Sequence, residues 1–534
     1  MNSPRGRLNN RANWAYVTIA IVMVAQLIVS FCFSLGKAGL FQDESWTFVL
    51  ANGTWLGVGP ENGVLYHDGD PYRDYASVGS FLGVDVPQIF ENQANDNHPP
   101  LSYLLFSFAY SLFPGSVALP IGVMLNALYL TCATPLLFGI ARRLGASDPL
   151  ALVVAAGWAF SVGTIDCALF LRMYALLTFF FVALTYVVVR IVVDESDARW
   201  FVALGVTCAL GFLTQYFFLM YAFVLCLGMG ILLLARKKVH RAIAFGASAI
   251  AGIAIGYAVF PTSVDHILHS GRGSNALNAA VSGNSFEGHL IRDWEWINSE
   301  LFANLLPAFV ATLAVLAVIA CLMRRPQREM GAHGKPSSSR AFGEKGLAIT
   351  EYLLITVAGV LFVAMVARVA PFASNRYLMS GYPIVFSSAL LGLAKLADAA
   401  FVGRAPRVPV AAVSACALAF CLIGFATVGP RYLNWEDQPA ASLSDNTTTS
   451  VCLWSANPDD QTILPYVLEY EDNLYFNDFA AFSSYDFASL DKFTLFVQYP
   501  FYDSTCAEAL SERGFTVEDE GVAGEYFRAC TVAK

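Results

Sequence analysis

Asp43 and Glu44 stand in the segment Phe41-Gln42-Asp43-Glu44-Ser45-Trp46, a few residues after an apolar run that ends at Gly36. Adjacent carboxylates repel one another, and a bilayer does not require them where a chain leaves it. The plain reading is a solvated loop start. The chemical reading is a general base and its partner, facing a substrate carried in the membrane. Asp96 and His98 occur in Asp96-Asn97-His98-Pro99-Pro100-Leu101. Proline fixes its own backbone and holds the residue before it extended, so this is a rigid turn back toward the membrane. Arg172, with Tyr174, and Arg376, with Tyr377, each open a later apolar run. A guanidinium there can snorkel to lipid phosphate, or it can clamp the phosphate of a substrate.

The elements that must carry these residues are membrane helices. Of the 534 residues 56% are hydrophobic and 14% charged, with mean hydropathy +0.54; a soluble domain is nearer a quarter charged. No basic stripe or arm points to nucleic acid. Runs near the 20 residues a span needs begin with Trp14–Gly36. That run is too long for a signal-peptide core and follows Arg5, Arg7 and Arg11, which predicts a retained first helix with a cytoplasmic N-terminus. Leu101–Phe113 is apolar but short, and parity decides its role. If it lies in the interface, Arg142-Arg143, Arg236-Lys237-Lys238 and Arg324-Arg325 all fall on the cytoplasmic side, as basic loops should. The expectation is an α-helical polytopic protein of about 11 spans in the plasma membrane. Residues 1–428 form the transmembrane domain, with external loops at 37–116 and 261–299.

Residues 429–534 carry 5 basic and 18 acidic residues, a net of 5 − 18 = −13 against −9 for the whole chain. Val451–Ser455, Asn473–Phe476 and Phe493–Tyr499 have strand composition, and Asp459–Tyr470 and Ser504–Arg513 have helical patterning. This predicts a small α/β domain outside the membrane. Cys452, Cys506 and Cys530 allow one disulfide in it with one thiol left over. In the loop 261–299, His266 and His269 share one helical face, Asp293 and Glu295 stand nearby, and Trp294 and Trp296 fit an interfacial anchor. No structural zinc spacing occurs, and no metal ligand is assigned.

An acidic pair after the first helix, D-x-H-P-P-L closing the first external loop, then R-x-Y and R-Y, together resemble the GT-C membrane glycosyltransferases. The likeness is greatest to their protein O-mannosyltransferase and aminoarabinose-transferase branch. It covers Trp14 to about Val193 well and Leu347–Leu396 loosely. The resemblance implies a sugar donor linked to polyprenyl phosphate, an extracytoplasmic acceptor (protein, cell-wall glycan or lipid), and Asp43 as the catalytic acid of the pair. It implies that Asp96 and His98 lie near acceptor or metal, and that the Arg172 and Arg376 motifs face the phosphate. The aminoarabinose branch has a glutamate and a divalent metal at the second motif. This chain has Asn97-His98 there, so no cofactor is assigned although a divalent metal stays possible. Two rivals stand beside this reading. A transporter or flippase for lipid-linked sugars predicts ionisable residues in mid-span. A non-catalytic envelope protein predicts no dependence on Asp43.

Overall fold

A computed structural model describes residues 4–37, 39–53, 60–67, 70–194, 197–282, 286–323, 341–342, 346–401, 407–433, 448–454, 462–501, 504–523 and 527–534. Each long apolar run forms a helix, because a backbone in hydrocarbon must satisfy its polar groups within its own segment. The spans by length and composition are α1 (Pro4–Ser34, apolar from Trp14), α6 (Leu119–Arg143), α9 (Tyr174–Val192), α11 (Phe217–Ala235), α12 (Val239–Val259), α17 (Ile349–Val369), α18 (Tyr382–Ala400) and α19 (Val408–Thr427). Two bent pairs raise these eight to ten among the described residues: α7 (Asp148–Ala159) with α8 (Val162–Leu169), at 47°, and α15 (Phe286–Phe302) with α16 (Leu306–Leu322), at 81°. The expected eleventh, α10 (Arg199–Thr214), is apolar but only 16 residues long. The protein is thus a helical polytopic membrane protein, close to the expected count.

Both bends have local causes. At the first, Ser161 Oγ accepts from Thr164 N at 3.2 Å and starts α8 afresh. At the second, Ala303 and Asn304 take φ of +52° and +62°, left-handed values that end a helix. Asn298 Oδ1 then accepts from Leu306 N at 2.9 Å, capping α16.

Between α1 and α6 the chain forms α2 (Gln42–Asn52), a two-residue strand β1 (Leu65–Tyr66), α3 (Pro71–Ala76), α4 (Val86–Asn95) and α5 (Leu101–Ser111). The short apolar segment read as interfacial is α5, 11 residues long. Residues 261–299 form α13 (Ser263–Leu268), α14 (Gly271–Ser282) and most of α15 rather than open loop.

The chain ends in a sheet region: β2 (Thr449–Leu453), α20 (Leu464–Val467), β3 (Asp472–Phe476), α21 (Phe479–Ser484), β4 (Lys492–Gln498), α22 (Ser504–Ser511), β5 (Thr516–Ala523) and β6 (Phe527–Ala533). Strand order is β1-β3-β2-β4-β6-β5, with β3, β2 and β4 parallel and the rest antiparallel. The three expected strands are β2, β3 and β4. The expected helix Asp459–Tyr470 lies partly outside the described residues; the described part holds only the four-residue α20. The sheet is not confined to residues 429–534, because β1 pairs with β3, placing Leu65 opposite Leu474. Alternate residues face opposite ways. Val451 and Leu453 join a core with Cys506 and Cys530, whereas Cys452 and Trp454 pack on the other side against Tyr72.

Candidate active site

Asp43 lies in the first turn of α2, where the helix dipole favours a carboxylate. Its Oδ2 accepts from Arg376 Nη1. Its backbone oxygen accepts from Arg172 Nη1 at 3.0 Å, and the same nitrogen donates to Thr47 Oγ1, one turn along α2, at 3.2 Å. The Asp43 side chain keeps 23% of its exposure against 7% for Arg376. The carboxylate is therefore the accessible member of the pair.

Glu44, the next residue, points the other way. It is fully buried. Oε2 accepts from Phe41 N at 2.7 Å and Oε1 from Leu171 N at 2.6 Å, while Lys37 Nζ stands 3.2 Å from both oxygens. A carboxylate filled in this way tethers the start of α2 to the break between α8 and α9, which carries Arg172. Burial pushes the Glu44 carboxyl above its ordinary range, against the pull of Lys37 and the two backbone N–H groups.

Arg172 sits in that break, and Arg376 sits in a 3₁₀ turn, Asn375–Tyr377, just before α18. Arg376 is walled by the rings of Phe41, Phe372 and Tyr377 at 5.1–5.2 Å, and its Nη2 donates to Tyr377 OH at 3.4 Å. Tyr174 begins α9, stacks on Phe170 at 5.8 Å and meets Tyr377 edge-on at 6.3 Å. Arg172 lies 5.9 Å from the Tyr103 ring of α5.

Asp96 ends α4, and its Oδ2 is 2.6 Å from His98 Nδ1. Burial alone would raise its carboxyl, but the nearby charges of His98 and Arg172 outweigh it and hold Asp96 below the usual carboxylate range. Arg172 thus bonds the Asp43 backbone near one end of the first loop and acts by its charge on Asp96 at the other. His266 and His269, by contrast, part company. His266 contacts Tyr216 OH at 2.9 Å and His269 contacts Asp265 at 3.0 Å. Among the described residues no three His, Cys, Asp or Glu side chains converge as a metal site would need.

Sequence reasoning missed a second buried layer. Asn375 Nδ2 donates to Glu300 Oε1 at 2.7 Å and Asp166 Oδ2 at 3.2 Å, and Tyr382 OH donates to Glu300 Oε2 at 2.8 Å. Tyr432, just beyond α19, donates from N to Asp166 Oδ1 at 2.7 Å and from OH to Asn375 Oδ1 at 2.9 Å. The available signal was Asp166 itself, a lone acid between two apolar runs, which requires a partner.

Residues 97–259 match the family model described as dolichyl-phosphate-mannose-protein mannosyltransferase. No curated protein matches the chain. Among solved structures, ArnT from Cupriavidus metallidurans bound to undecaprenyl phosphate is 13% identical, with 97% of this chain and 98% of that chain covered and a TM-score of 0.45. The archaeal oligosaccharyltransferase AglB from Archaeoglobus fulgidus, in complex with an inhibitory peptide and a dolichol-phosphate, is 12% identical. There the coverage is 95% of this chain and 74% of that chain, with a TM-score of 0.35. The family match spans residues 97–259 and takes in His98, Arg172 and Tyr174.

Proposed function

We propose that the protein transfers a sugar from a polyprenyl-phosphate carrier to a hydroxyl of an extracytoplasmic acceptor, with the C-terminal sheet region on that same side. The observation that carries this reading is one partly accessible carboxylate, Asp43, whose side chain is bonded by the buried Arg376 and whose backbone oxygen is bonded by the buried Arg172. Arg376 occupies Oδ2, and Oδ1 is the oxygen left for an incoming hydroxyl. In the reaction Asp43 takes the hydroxyl proton as that oxygen bonds to the anomeric carbon. The bond from that carbon to the phosphate oxygen breaks, and polyprenyl phosphate leaves with the electron pair. Arg376 and Arg172 face the charge that builds on the phosphate, where fixed cations in a dry site act most strongly. Glu44 serves as a positioning residue, and Asp96 and His98 border the acceptor side. Tyr174 and Tyr377 wall the phosphate.

An apolar groove of about 880 Å³ between α10, α11 and α12 supports a lipid-borne substrate. Phe212, Phe223 and Ile250 line it, and Ile267 stands at the end next to His266. His266 in turn contacts Ala94, two residues before Asp96, at 3.3 Å. The Ile267 end of the groove thus adjoins, through His266, the end of α4 that precedes Asp96.

The test adds purified protein to membranes of a deletion strain, which hold the native lipid-linked sugar and acceptor. Removing a charge-assisted contact costs ~1.5–3 kcal/mol, so Arg376→Ala and Arg172→Ala should each lower turnover by ~10–100-fold. The apparent KM for the lipid-linked sugar should change less, because the contact strengthens as the phosphate gains charge. Wild-type turnover in both variants would place the phosphate elsewhere.

A further inference from the structure

The two halves of the Asp43–Arg376 pair come from segments 333 residues apart, and each half has a buried neighbour in the chain. On one side Glu44 is held by Lys37, with Nζ 3.2 Å from each carboxylate oxygen. On the other side Asn375 is held by Glu300 and Asp166. One residue joins the two sides. Tyr432 accepts from Lys37 Nζ through its backbone oxygen at 3.0 Å and donates from its hydroxyl to Asn375 Oδ1 at 2.9 Å. Its ring stacks on Phe170 at 4.2 Å and meets Phe41 edge-on at 6.1 Å. The contacts close a ring: Asp43, Glu44, Lys37, Tyr432, Asn375, Arg376 and back to Asp43.

We propose that Lys37, Tyr432 and Asn375 are positioning residues that set the separation of Asp43 from Arg376. The inference deepens the assignment of that pair as base and phosphate clamp, and rests on it. An open pair would let a long arginine swing with the phosphate or over-neutralise the carboxylate. The closed ring leaves Arg376 one place to stand. Its Nη1 bonds Asp43, three rings flank the guanidinium, and the backbone is fixed one residue away by an amide whose oxygen and nitrogen are both engaged. Hydrogen bonds among buried polar groups polarise one another and rigidify the groups they join; in this ring only Nε of Arg376 is left without a partner among the described contacts of that guanidinium.

Orientation is also set. Asn375 Nδ2 meets two carboxylates and Oδ1 meets a hydroxyl, so the amide has a single favourable flip. Tyr432 lies on the segment leading from α19 toward the sheet region. Tyr466 of that region donates to Lys37 O at 3.2 Å, and Leu40 N donates to Thr462 O at 3.2 Å. The docking of the sheet region therefore bears on the same ring, which gives that region a part in catalysis although it carries none of the reacting groups.

The experiment is a set of double-mutant cycles. Asn375→Ala, Tyr432→Phe and Lys37→Met are each made in the wild type and in Arg376→Ala, and turnover and KM for the lipid-linked sugar are measured with deletion-strain membranes. A residue that acts through Arg376 loses its effect once Arg376 is gone. Asn375→Ala should lower kcat by about 10²-fold, the scale of a 1 Å misplacement, with KM nearly unchanged. It should cause no further loss in the Arg376→Ala background. Tyr432→Phe keeps the stacked ring and removes one hydroxyl. It should show the same pattern with a smaller loss, so the test survives if Asn375→Ala fails to fold. Losses that multiply in the Arg376→Ala background, or wild-type kcat in Tyr432→Phe and Asn375→Ala together, would overturn the ring. Wild-type turnover in Arg376→Ala alone would instead overturn the assignment of the pair.

Discussion

At the scale of single residues, neighbours in sequence have opposite fates. Asp43 faces the opening and Glu44 the interior because consecutive positions on a helix diverge by about 100°. The family resemblance singled out Asp43, and the physical difference between the two acids comes from the packing of Glu44 against Leu171 and Lys37. Asp96 supplies a test of the local electrostatics. Its folded-state carboxyl lies below the ordinary 3.8, held there by His98 and Arg172 against burial. A depressed acid contributes stability that is present above its unfolded value and lost as pH falls through its folded one. Asp96→Asn removes that contribution. Unfolding midpoints of the two proteins should therefore differ above about pH 4 and converge as the medium is acidified below it. A gap that widens on acidification would show that the charges assigned to Asp96 are wrong.

At the scale of elements, the rigid parts are short pieces between spans: the start of α2, the α8–α9 break and the 3₁₀ turn before α18. The tether is the Lys37–Glu44 pair, buried on both sides. Lys37→Met leaves Glu44 in the interior without its cation, and breaking such a pair costs about 3–5 kcal/mol. Purified Lys37→Met protein should unfold well below the wild-type temperature. An unchanged midpoint would mean that Glu44 does not hold α2. Much at this scale could be read from sequence. Charges at span ends singled out Asp43, Arg172 and Arg376, the length of apolar runs located the spans, and β-branched and aromatic composition located three strands. The remainder depended on distant partners. Asn375 and Tyr432 are ordinary polar residues until Asp166 and Glu300 reach them from two other helices. β1, only two residues long, has no strand signal without β3 beside it. The bend that delivers Glu300 rests on left-handed Ala303, a residue type that gives no warning of it.

At the scale of the whole molecule, the bundle has two chemically different ends. One carries ion pairs, Arg142–Asp148 at 2.7 Å, Arg143–Asp194 at 2.9 Å and Arg236 with the buried Glu351 at 2.6 Å, at the loops read as cytoplasmic. The other end gathers the first loop, the α8–α9 break, the turn before α18 and the sheet region around Asp43. Alternation along α6, α7–α8, α9, α11 and α17 puts these sets at opposite ends.

The central claim is that Asp43 is the base for sugar transfer. Its most direct test is transfer from the native lipid-linked sugar by purified wild-type and Asp43→Asn protein, with polyprenyl phosphate binding measured on both. Asparagine keeps the shape and removes the basicity. Binding should stay within a few-fold, while transfer falls by about the 10²–10⁴-fold associated with a general base. Near-normal transfer by the Asp43→Asn protein would contradict the account and leave Asp96 as the next acid to consider.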